Sequence, residues 1–464
     1  MSKLKALFFD SMAYNIYNQI ITKLLPSIIL VWYESFIWHA YKIIDKKIIQ
    51  SKPVQIFLDP KYITDAWYAS SFYRISTYYI RKLSTRIPKT SLSFRIFYIG
   101  IFLAIIMFAS KVLTPLYATL LFAAVAILYI SHHATERTGI IFMLVNYILL
   151  IFVFVLALGI PSAAFHSLYY MLLAIDFFFL VTFSVNKKIE LEHILCSVYL
   201  ILFSLCGLSL VQSGNIIANA ATFNDPITFA EVILILFPFA MAYPLQLKSN
   251  LRRFIYFASI IFLSFSAILA VHSKAALIGF SIEVLLFILL TNWKYLPFLL
   301  FLSPAITRTA ISNIVAMWEQ TATHGNIFEN IFYVIRNFWS NGFGVKSSVF
   351  LDIYNSSSSV GSAALSIPHF EISPVYFNIL LDLGAIIMFG FLYYILRLAH
   401  SSFTSLFSTT KKERPVFAAG LAMLIGISIS SLFESTLFSP PTLIAYWGML
   451  GILRSAKTLY VYET

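Results

Sequence analysis

The segment Ser-Pro-Val-Tyr-Phe-Asn-Ile-Leu-Leu-Asp-Leu-Gly (Ser373–Gly384) returns the chain to apolar sequence after a long polar excursion. This excursion, residues 311–372, lies between strongly apolar runs and contains Phe, Tyr, Trp, His and charged side chains. Such a composition is poor for disorder, and loops longer than about 12–15 residues are usually functional or disordered. The excursion and the segment that follows it therefore predict the location of the protein's chemistry.

The composition predicts that the rest of the chain is embedded in a membrane. Of its 464 residues, 60% are hydrophobic and 11% are charged, and the mean hydropathy is +0.84. Its apolar runs approach the ~20 residues that a bilayer-spanning helix needs. The runs are 94–110, 113–131, 138–160, 163–184, 190–211, 226–246, 251–272, 275–291, 295–310, 373–396, 415–433 and 441–453. The sequence thus predicts an all-α polytopic integral membrane protein with about 12 transmembrane helices.

Four segments follow from these runs: a basic, aromatic-rich segment (1–93), nine spans (94–310), the large loop (311–372), and three spans with a tail (373–464). Residues 1–95 contain fourteen Lys and Arg against five acids, a net charge of +9. Basic helices with interleaved aromatics are typical of the membrane interface, where they face anionic headgroups. We therefore expect interfacial or cytoplasmic helices here, and no nucleic-acid partner.

The positive charges also predict the topology. With a cytoplasmic start, the twelve spans place thirteen later cations inside and five outside, and cytoplasmic loops are normally enriched in Lys and Arg. The five outside are Lys111, Lys274, Arg308, Arg336 and Lys346. Both termini are then cytoplasmic and the 311–372 loop is extracytoplasmic. Lys111 is expected to be an ordinary charge at a helix end. The other four outside cations could either form an anion site at the outer membrane face or be helix-end charges as well.

Several polar residues are candidates for function. Asp176, Glu283 and Asp382 lie within predicted spans, where a carboxyl is costly and is either functional or fixes helix packing. His324, Arg336, Lys346, His369 and Glu371 are the loop residues that could act chemically. A His two residues before a Glu is a plausible proton acceptor with an orienting carboxylate. No Asp-x-Asp or other metal motif is visible, so neither a metal nor a cofactor is expected.

Three segments carry a family resemblance. They are Phe-Asn-Asp-Pro-Ile-Thr-Phe-Ala (Phe223–Ala230), Ser-Lys-Ala-Ala (Ser273–Ala276), and Asn-Gly-Phe-Gly (Asn341–Gly344) followed by the loop and Tyr376–Gly384. In order and spacing they resemble the bacterial O-antigen polymerase and O-antigen ligase superfamily of polytopic glycosyltransferases. The chain departs from that pattern in having Ile227 for Asn, Lys274 for Arg, and Ser373-Pro374 for His-Asn.

The resemblance implies a glycosyltransferase that polymerises undecaprenyl-diphosphate-linked oligosaccharide repeat units at the outer face of the bacterial cytoplasmic membrane. Since no metal motif is visible, we expect it to be metal-independent. Its partners would be an undecaprenyl-diphosphate-linked glycan donor, a glycan acceptor, membrane lipids and other polysaccharide-assembly proteins. Lys274, Arg336 and Lys346 would bind the donor diphosphate. His369 would replace the missing family His as proton acceptor, and Glu371 and Asp382 would complete the catalytic set.

Three alternatives remain open at this point. The chain could transfer glycan to a different acceptor, as O-antigen ligases do. It could instead move lipid-linked glycan across the membrane, although flippases and exporters usually show internal repeats and none is evident here. A purely structural membrane protein is disfavoured by the buried acids and by the prolines in the apolar runs.

Overall fold

The computed structural model describes residues 34–50, 78, 92–108, 163–185, 187–212, 221–223, 225–271, 273–291, 375–376, 379, 384–410, 412–432, 437 and 439–462. Regular secondary structure in these residues is helical, with no strand among them. The chain divides into two compact units, Met1–Tyr79 and Ile80–Thr464.

In the first unit the description covers mainly one helix, α1 (Phe36–Gln50). The Ser35 hydroxyl accepts a 3.1 Å hydrogen bond from the backbone nitrogen of Trp38 and so caps the start of the helix. Trp38 stacks on Tyr41, and the Lys42 ammonium lies 5.5 Å from the centroid of the Trp38 ring. Both Ile and Lys side chains are exposed in the following turns, a combination that suits a boundary between apolar and aqueous surroundings.

The second unit contains a helical bundle. Its described helices are α2 (Leu92–Phe108), α3 (Ala163–Ser184), α4 (Lys188–Gln212), α5 (Pro226–Gln246), α6 (Asn250–Val271), α7 (Lys274–Thr291), α8 (Gly384–Ser408), α9 (Arg414–Ser430) and α10 (Pro440–Lys457), which continues into a π-helical segment, Thr458–Tyr462. Among them α4, α5 and α6 are long and apolar enough to cross a membrane. These apolar helices indicate a membrane-embedded protein.

Helix α5 lies at the centre of the bundle. Nearly every side chain from Thr228 to Ala242 is buried, including those on all sides of the helix. A helix that is apolar all round is stable only when other helices or lipid surround it. Here α4, α6, α7, α9 and α10 all pack against α5.

Small residues set the closest helix contacts. Gly448 of α10 packs on the ring of Phe177 in α3, and Gly451 packs on Val181 one turn further along. The Ser455 hydroxyl then reaches the carbonyl oxygen of Thr182 at 3.3 Å. Because contacts advance in the same direction on both helices, α3 and α10 run parallel.

The order in which contacts advance along a pair of helices also gives the directions of the other helices. Tyr199 of α4 bonds Ser259 of α6, and Cys206 lies near Ser264 further along, so α4 and α6 are parallel. Gly279 of α7 lies beside Ser430 of α9 and Glu283 lies beside Gly426, so α7 and α9 are antiparallel. Only three residues separate the end of α5 from the start of α6, so α5 and α6 run in opposite directions, and α5 is therefore antiparallel to α4 as well.

One end of the bundle, which we call the Lys188 end, contains the starts of α4 and α9 and the last turn of α10. Lys188 and Glu413 form a 2.8 Å ion pair across the starts of α4 and α9, and the Lys188 ammonium also lies 4.9 Å from the centroid of the Tyr460 ring. Lys457 donates a 2.8 Å hydrogen bond to the Ser401 hydroxyl of α8. These contacts tie four helices together at this end.

The electrostatic environment at the Lys188 end shifts the pKa values of two ionisable groups. Partial burial raises the pKa of Glu413, but hydrogen bonds from Lys188 and Thr410, with the Lys188 charge, lower it by more, so the pKa lies below its ordinary value of 4.5. Burial, together with the charges of Glu413 and Glu192, raises the pKa of Tyr460 to about 12. Glu413 is therefore ionised and Tyr460 is neutral at physiological pH.

Most of the observed helices agree with the apolar runs where the two can be compared. The run 226–246 coincides with α5, and 163–184 coincides with α3. Helix α8 differs, because it continues past the predicted end at residue 396 to Ser408. Within this polar extension, the Ser402 hydroxyl donates a hydrogen bond to the Leu398 carbonyl, and the Ser401 hydroxyl accepts one from Lys457. Both bonds stabilise the extension. The predicted spans 113–131, 138–160 and 295–310 and the 311–372 loop lie outside the described residues.

Candidate functional site

The segment Phe223–Ala230 forms the capped start of α5. The Asp225 carboxylate accepts hydrogen bonds from the backbone nitrogens of Ile227 at 3.2 Å and Thr228 at 2.9 Å, and from the Thr228 hydroxyl at 3.0 Å. Pro226 occupies the first turn, where its missing N–H costs nothing. Asp225 is thus committed to fixing the helix start, which explains an Asp-Pro pair at this position.

The turn before α5 is also fixed from outside the segment. Ala221 adopts a left-handed backbone conformation with φ of 52°, which is uncommon for a residue other than glycine. The neighbouring Thr222 hydroxyl donates a 2.6 Å hydrogen bond to the carbonyl of Met107, near the end of α2. Phe223 is buried and stacks on Phe229 with 5.5 Å between ring centroids. The end of α2 and the start of α5 therefore meet.

The segment Ser273–Ala276 forms the capped start of α7. The Ser273 hydroxyl accepts a 3.1 Å hydrogen bond from the backbone nitrogen of Ala276, and its carbonyl accepts one from Leu277 at 3.2 Å. Lys274 is the first residue of α7, and its side chain lies outside the description. A capped helix start is where the helix dipole favours anions, so the position suits the predicted role of Lys274.

Three described residues near the start of the predicted tenth span, Val375, Tyr376 and Ile379, form what we call the return segment. Val375 and Ile379 are buried. The Val375 backbone nitrogen donates a 3.0 Å hydrogen bond to the carbonyl of Ser431, and the Tyr376 hydroxyl donates one of 3.1 Å to the carbonyl of Ser428. The return segment is therefore held against the last turn of α9.

Contacts at Gly279 bring these segments to the same end of the bundle. A Cβ added at Gly279 would lie 3.0 Å from the Gly426 carbonyl oxygen of α9 and 3.1 Å from a methyl carbon of Leu234 in α5. Gly279 is five residues from the start of α7, and Leu234 is eight from the start of α5, or ~8 and ~12 Å along the helix axes. The starts of α5 and α7, the end of α9 and the return segment thus share one end, which we call the Asp225 end.

Glu231 is a buried acid near the Asp225 end that hydropathy alone did not single out. It lies five residues after Pro226 and its residue exposure is only 2%. The sequence signal for it was present, since it falls inside the apolar run 226–246, as Asp176 and Glu283 fall inside theirs. Those two acids are fully buried, in agreement with their predicted positions inside helices.

Most of the residues predicted to act on substrate lie outside the described residues. They are His324, Arg336, Lys346, His369, Glu371 and Asp382. Their predicted roles stay predictions. Within the described part of the chain, no group of three or more His, Cys, Asp and Glu side chains is arranged to hold a metal ion.

No protein-family model matches this sequence, and no curated protein matches it. The family resemblance consequently rests on the quoted sequence segments alone.

Proposed function

We propose that the protein is a glycosyltransferase that polymerises undecaprenyl-diphosphate-linked repeat units at the outer face of the bacterial cytoplasmic membrane. The observation that carries this proposal is the meeting of three segments at the Asp225 end. Phe223–Ala230, Ser273–Ala276 and the return segment are far apart in sequence, yet each forms or touches a helix end on the same side of the bundle. Segments that together form a substrate site need this proximity.

The distribution of described cations supports an outward-facing Asp225 end. Helix starts and ends at the Lys188 end contain most of the described basic residues of the bundle. They are Lys187, Lys188, Lys248, Arg252, Arg253, Lys412, Arg414, Arg454 and Lys457. Among the described residues, the Asp225 end has Lys274 alone at a helix end. The positive-inside rule then assigns the Lys188 end to the cytoplasm.

The helix directions are consistent with twelve spans. Helix α7 ends at the Lys188 end and α8 begins at the Asp225 end, which fits the one span predicted between them, 295–310. Helix α2 ends and α3 begins at the Asp225 end, which fits the two spans predicted between them, 113–131 and 138–160.

The chemistry that we propose needs two functions from the protein. The acceptor hydroxyl oxygen bonds to the anomeric carbon of the donor, and the bond from that carbon to undecaprenyl diphosphate breaks. Lys274, Arg336 and Lys346 would stabilise the departing diphosphate, because fixed cations act strongly where water is partly excluded. His369 would accept the hydroxyl proton, with Glu371 or Asp382 supporting it.

A reconstituted assay tests this proposal against its alternatives. The purified full chain is placed in liposomes with lipid-linked repeat units on the face that the Asp225 end occupies. Growth of glycan length, with release of undecaprenyl diphosphate, is the expected result. Transfer only to a different added acceptor would show that the protein is a ligase and not a polymerase. Movement of intact precursor across the bilayer without joining would overturn the enzyme proposal in favour of a flippase.

A further inference from the structure

The contact between Glu283 and Gly426 joins α7 to α9 in the interior of the bundle. Glu283 is fully buried and lies nine residues after Lys274, ~14 Å along the helix axis. A Cβ added at Gly426 would overlap the Glu283 side chain from Cγ to its carboxyl oxygen. One turn earlier, a Cβ added at Gly279 would lie 3.0 Å from the Gly426 carbonyl oxygen. The glutamate side chain therefore occupies the space that the missing side chain of Gly426 leaves.

The Glu283 carboxyl has no hydrogen-bond partner among the described residues, on either oxygen. On the helices packed against α7, the described titratable and charged groups are Glu231 and Tyr243 of α5, Arg252, Arg253 and Tyr256 of α6, and Arg414 of α9. The basic ones all lie in the first turn of a helix that starts at the Lys188 end, and Arg253 and Arg414 donate instead to carbonyls at 2.5 and 3.4 Å. None of them neutralises Glu283.

An ionised carboxylate in such a position is strongly unfavourable. Burying an unpaired charge in apolar surroundings costs far more than burying a neutral polar group, and the usual outcome is neutralisation of the group. We infer that Glu283 is a proton-binding site, and that the neutral acid is the form that allows α7 and α9 to pack at glycine distance. This inference concerns the stability of the bundle and does not rest on the proposed glycosyl transfer.

The proton site has a consequence for the Asp225 end. Helix α7 begins with Lys274 at that end, and α9 ends there at Ser430. The carbonyl of the next residue, Ser431, accepts the hydrogen bond from Val375 of the return segment. The contact between Glu283 and Gly426 fixes the position of α7 relative to α9 along the helix axes. It therefore also fixes the relative positions of their ends at the Asp225 end. Loss of the proton would place a charge against the Gly426 backbone and would separate the two helices.

Modification with dicyclohexylcarbodiimide tests the inference directly. A protonated carboxyl adds across a carbodiimide C=N bond: its oxygen bonds to the central carbon, its proton passes to nitrogen, and acyl migration then gives a stable N-acylurea. With the full chain in detergent at neutral pH, peptide mass spectrometry should find this adduct on Glu283. Glu190 is the matched control, because it is also buried but accepts a 3.1 Å hydrogen bond from the Lys187 backbone, and it should stay unmodified.

The pH and salt dependence of modification separates a bound proton from a bound metal cation. Modification that is strong at neutral pH and insensitive to sodium supports the inference. Modification that is seen only in acid, or that sodium suppresses at constant pH, overturns it, because the carboxyl would then be ionised or metal-bound at neutral pH.

A substitution gives a second measurement that does not require reagent access. Glu283→Gln keeps the shape and the neutral state, so its thermal midpoint in detergent should equal that of the wild type. A large drop in the midpoint would overturn the inference, since it would show that the negative charge is needed. Gly426→Ala should lower the midpoint, and the double variant Gly426→Ala with Glu283→Ala should recover part of that loss.

Discussion

The side-chain hydroxyl of Tyr376 donates a 3.1 Å hydrogen bond to the backbone carbonyl of Ser428. Ser428 is one of the last four residues of α9, whose carbonyls have no partner within their own helix. The return segment supplies the missing donor there, and Val375 does the same for Ser431. The end of α9 and the return segment therefore complete each other, so a change in one is expected to affect the other.

Tyr376→Phe should destabilise the Asp225 end. The substitution removes one hydrogen bond and leaves a partly buried carbonyl unsatisfied, a loss of about 1–3 kcal/mol. We expect a lower thermal midpoint in detergent and reduced glycan extension at equal membrane abundance. Tyr256→Phe is the matched control. That tyrosine is exposed, and the hydrogen bonds from Tyr199 and Ser259 go to its backbone carbonyl, which the substitution keeps. Equal behaviour of the two variants would show that the Tyr376 hydroxyl contributes nothing.

The Lys188–Glu413 ion pair should make stability depend on pH. The pKa of Glu413 is lowered in the folded protein, so its contribution is complete above the ordinary value of 4.5 and is lost as pH falls through the lower folded value. At pH 7, Glu413→Gln should cost about 0.2–1 kcal/mol, since exposed pairs are weak. In acid, the thermal midpoints of variant and wild type should converge.

The control for that experiment is Glu192→Gln, which removes an exposed acid at the same end. If its midpoint shows the same pH dependence as that of Glu413→Gln, the effect comes from net charge and not from the ion pair. Raising the salt concentration should also reduce the difference between Glu413→Gln and the wild type, because ions screen exposed charges.

Hydropathy predicted the helices well because their boundaries coincide with strong local signals. Pro440 and Pro441 stand at the start of the last apolar run, and proline in a helix interior would break it. In the structure they lie in the first turn of α10, where proline is well tolerated. The contacts among helices could not be predicted in this way. The meeting of Glu283 with Gly426, or of Gly279 with Leu234, depends on the packing of residues distant in sequence, for which a single sequence contains no local pattern.

The topology can be tested by labelling single cysteines in a background without Cys196 and Cys206. Ser357→Cys, in the predicted outer loop, should react with a membrane-impermeant maleimide in intact cells. Lys411→Cys, next to Lys412 and Glu413 at the Lys188 end, should react only after permeabilisation. The reverse pattern would place the Asp225 end in the cytoplasm and would remove the proposed site from the outer face.

Lys274 and Arg336 are expected to bind the donor diphosphate. Lys274→Ala and Arg336→Ala should each reduce glycan extension more than Lys111→Ala, which removes another predicted outside cation that we assign to a helix end. Lys274→Arg should keep activity, since it preserves the charge and restores the residue common in the similar family. If all three alanine variants extend glycan normally at comparable membrane levels, the cations do not form an anion site.

His369 is expected to accept the proton of the acceptor hydroxyl. Loss of a general base typically lowers the rate about 10²–10⁴-fold, so His369→Ala should abolish chain extension while lipid-linked precursor accumulates on the outer face. Asp382→Asn should cause a milder loss if Asp382 only supports the site, and an equal loss if Asp382 is itself the base. Glu371→Gln should also reduce the rate of chain extension, because Glu371 supports whichever of His369 and Asp382 accepts the proton. Accumulation of precursor on the cytoplasmic face would instead identify a transport defect, and the protein would then move lipid-linked glycan without joining it.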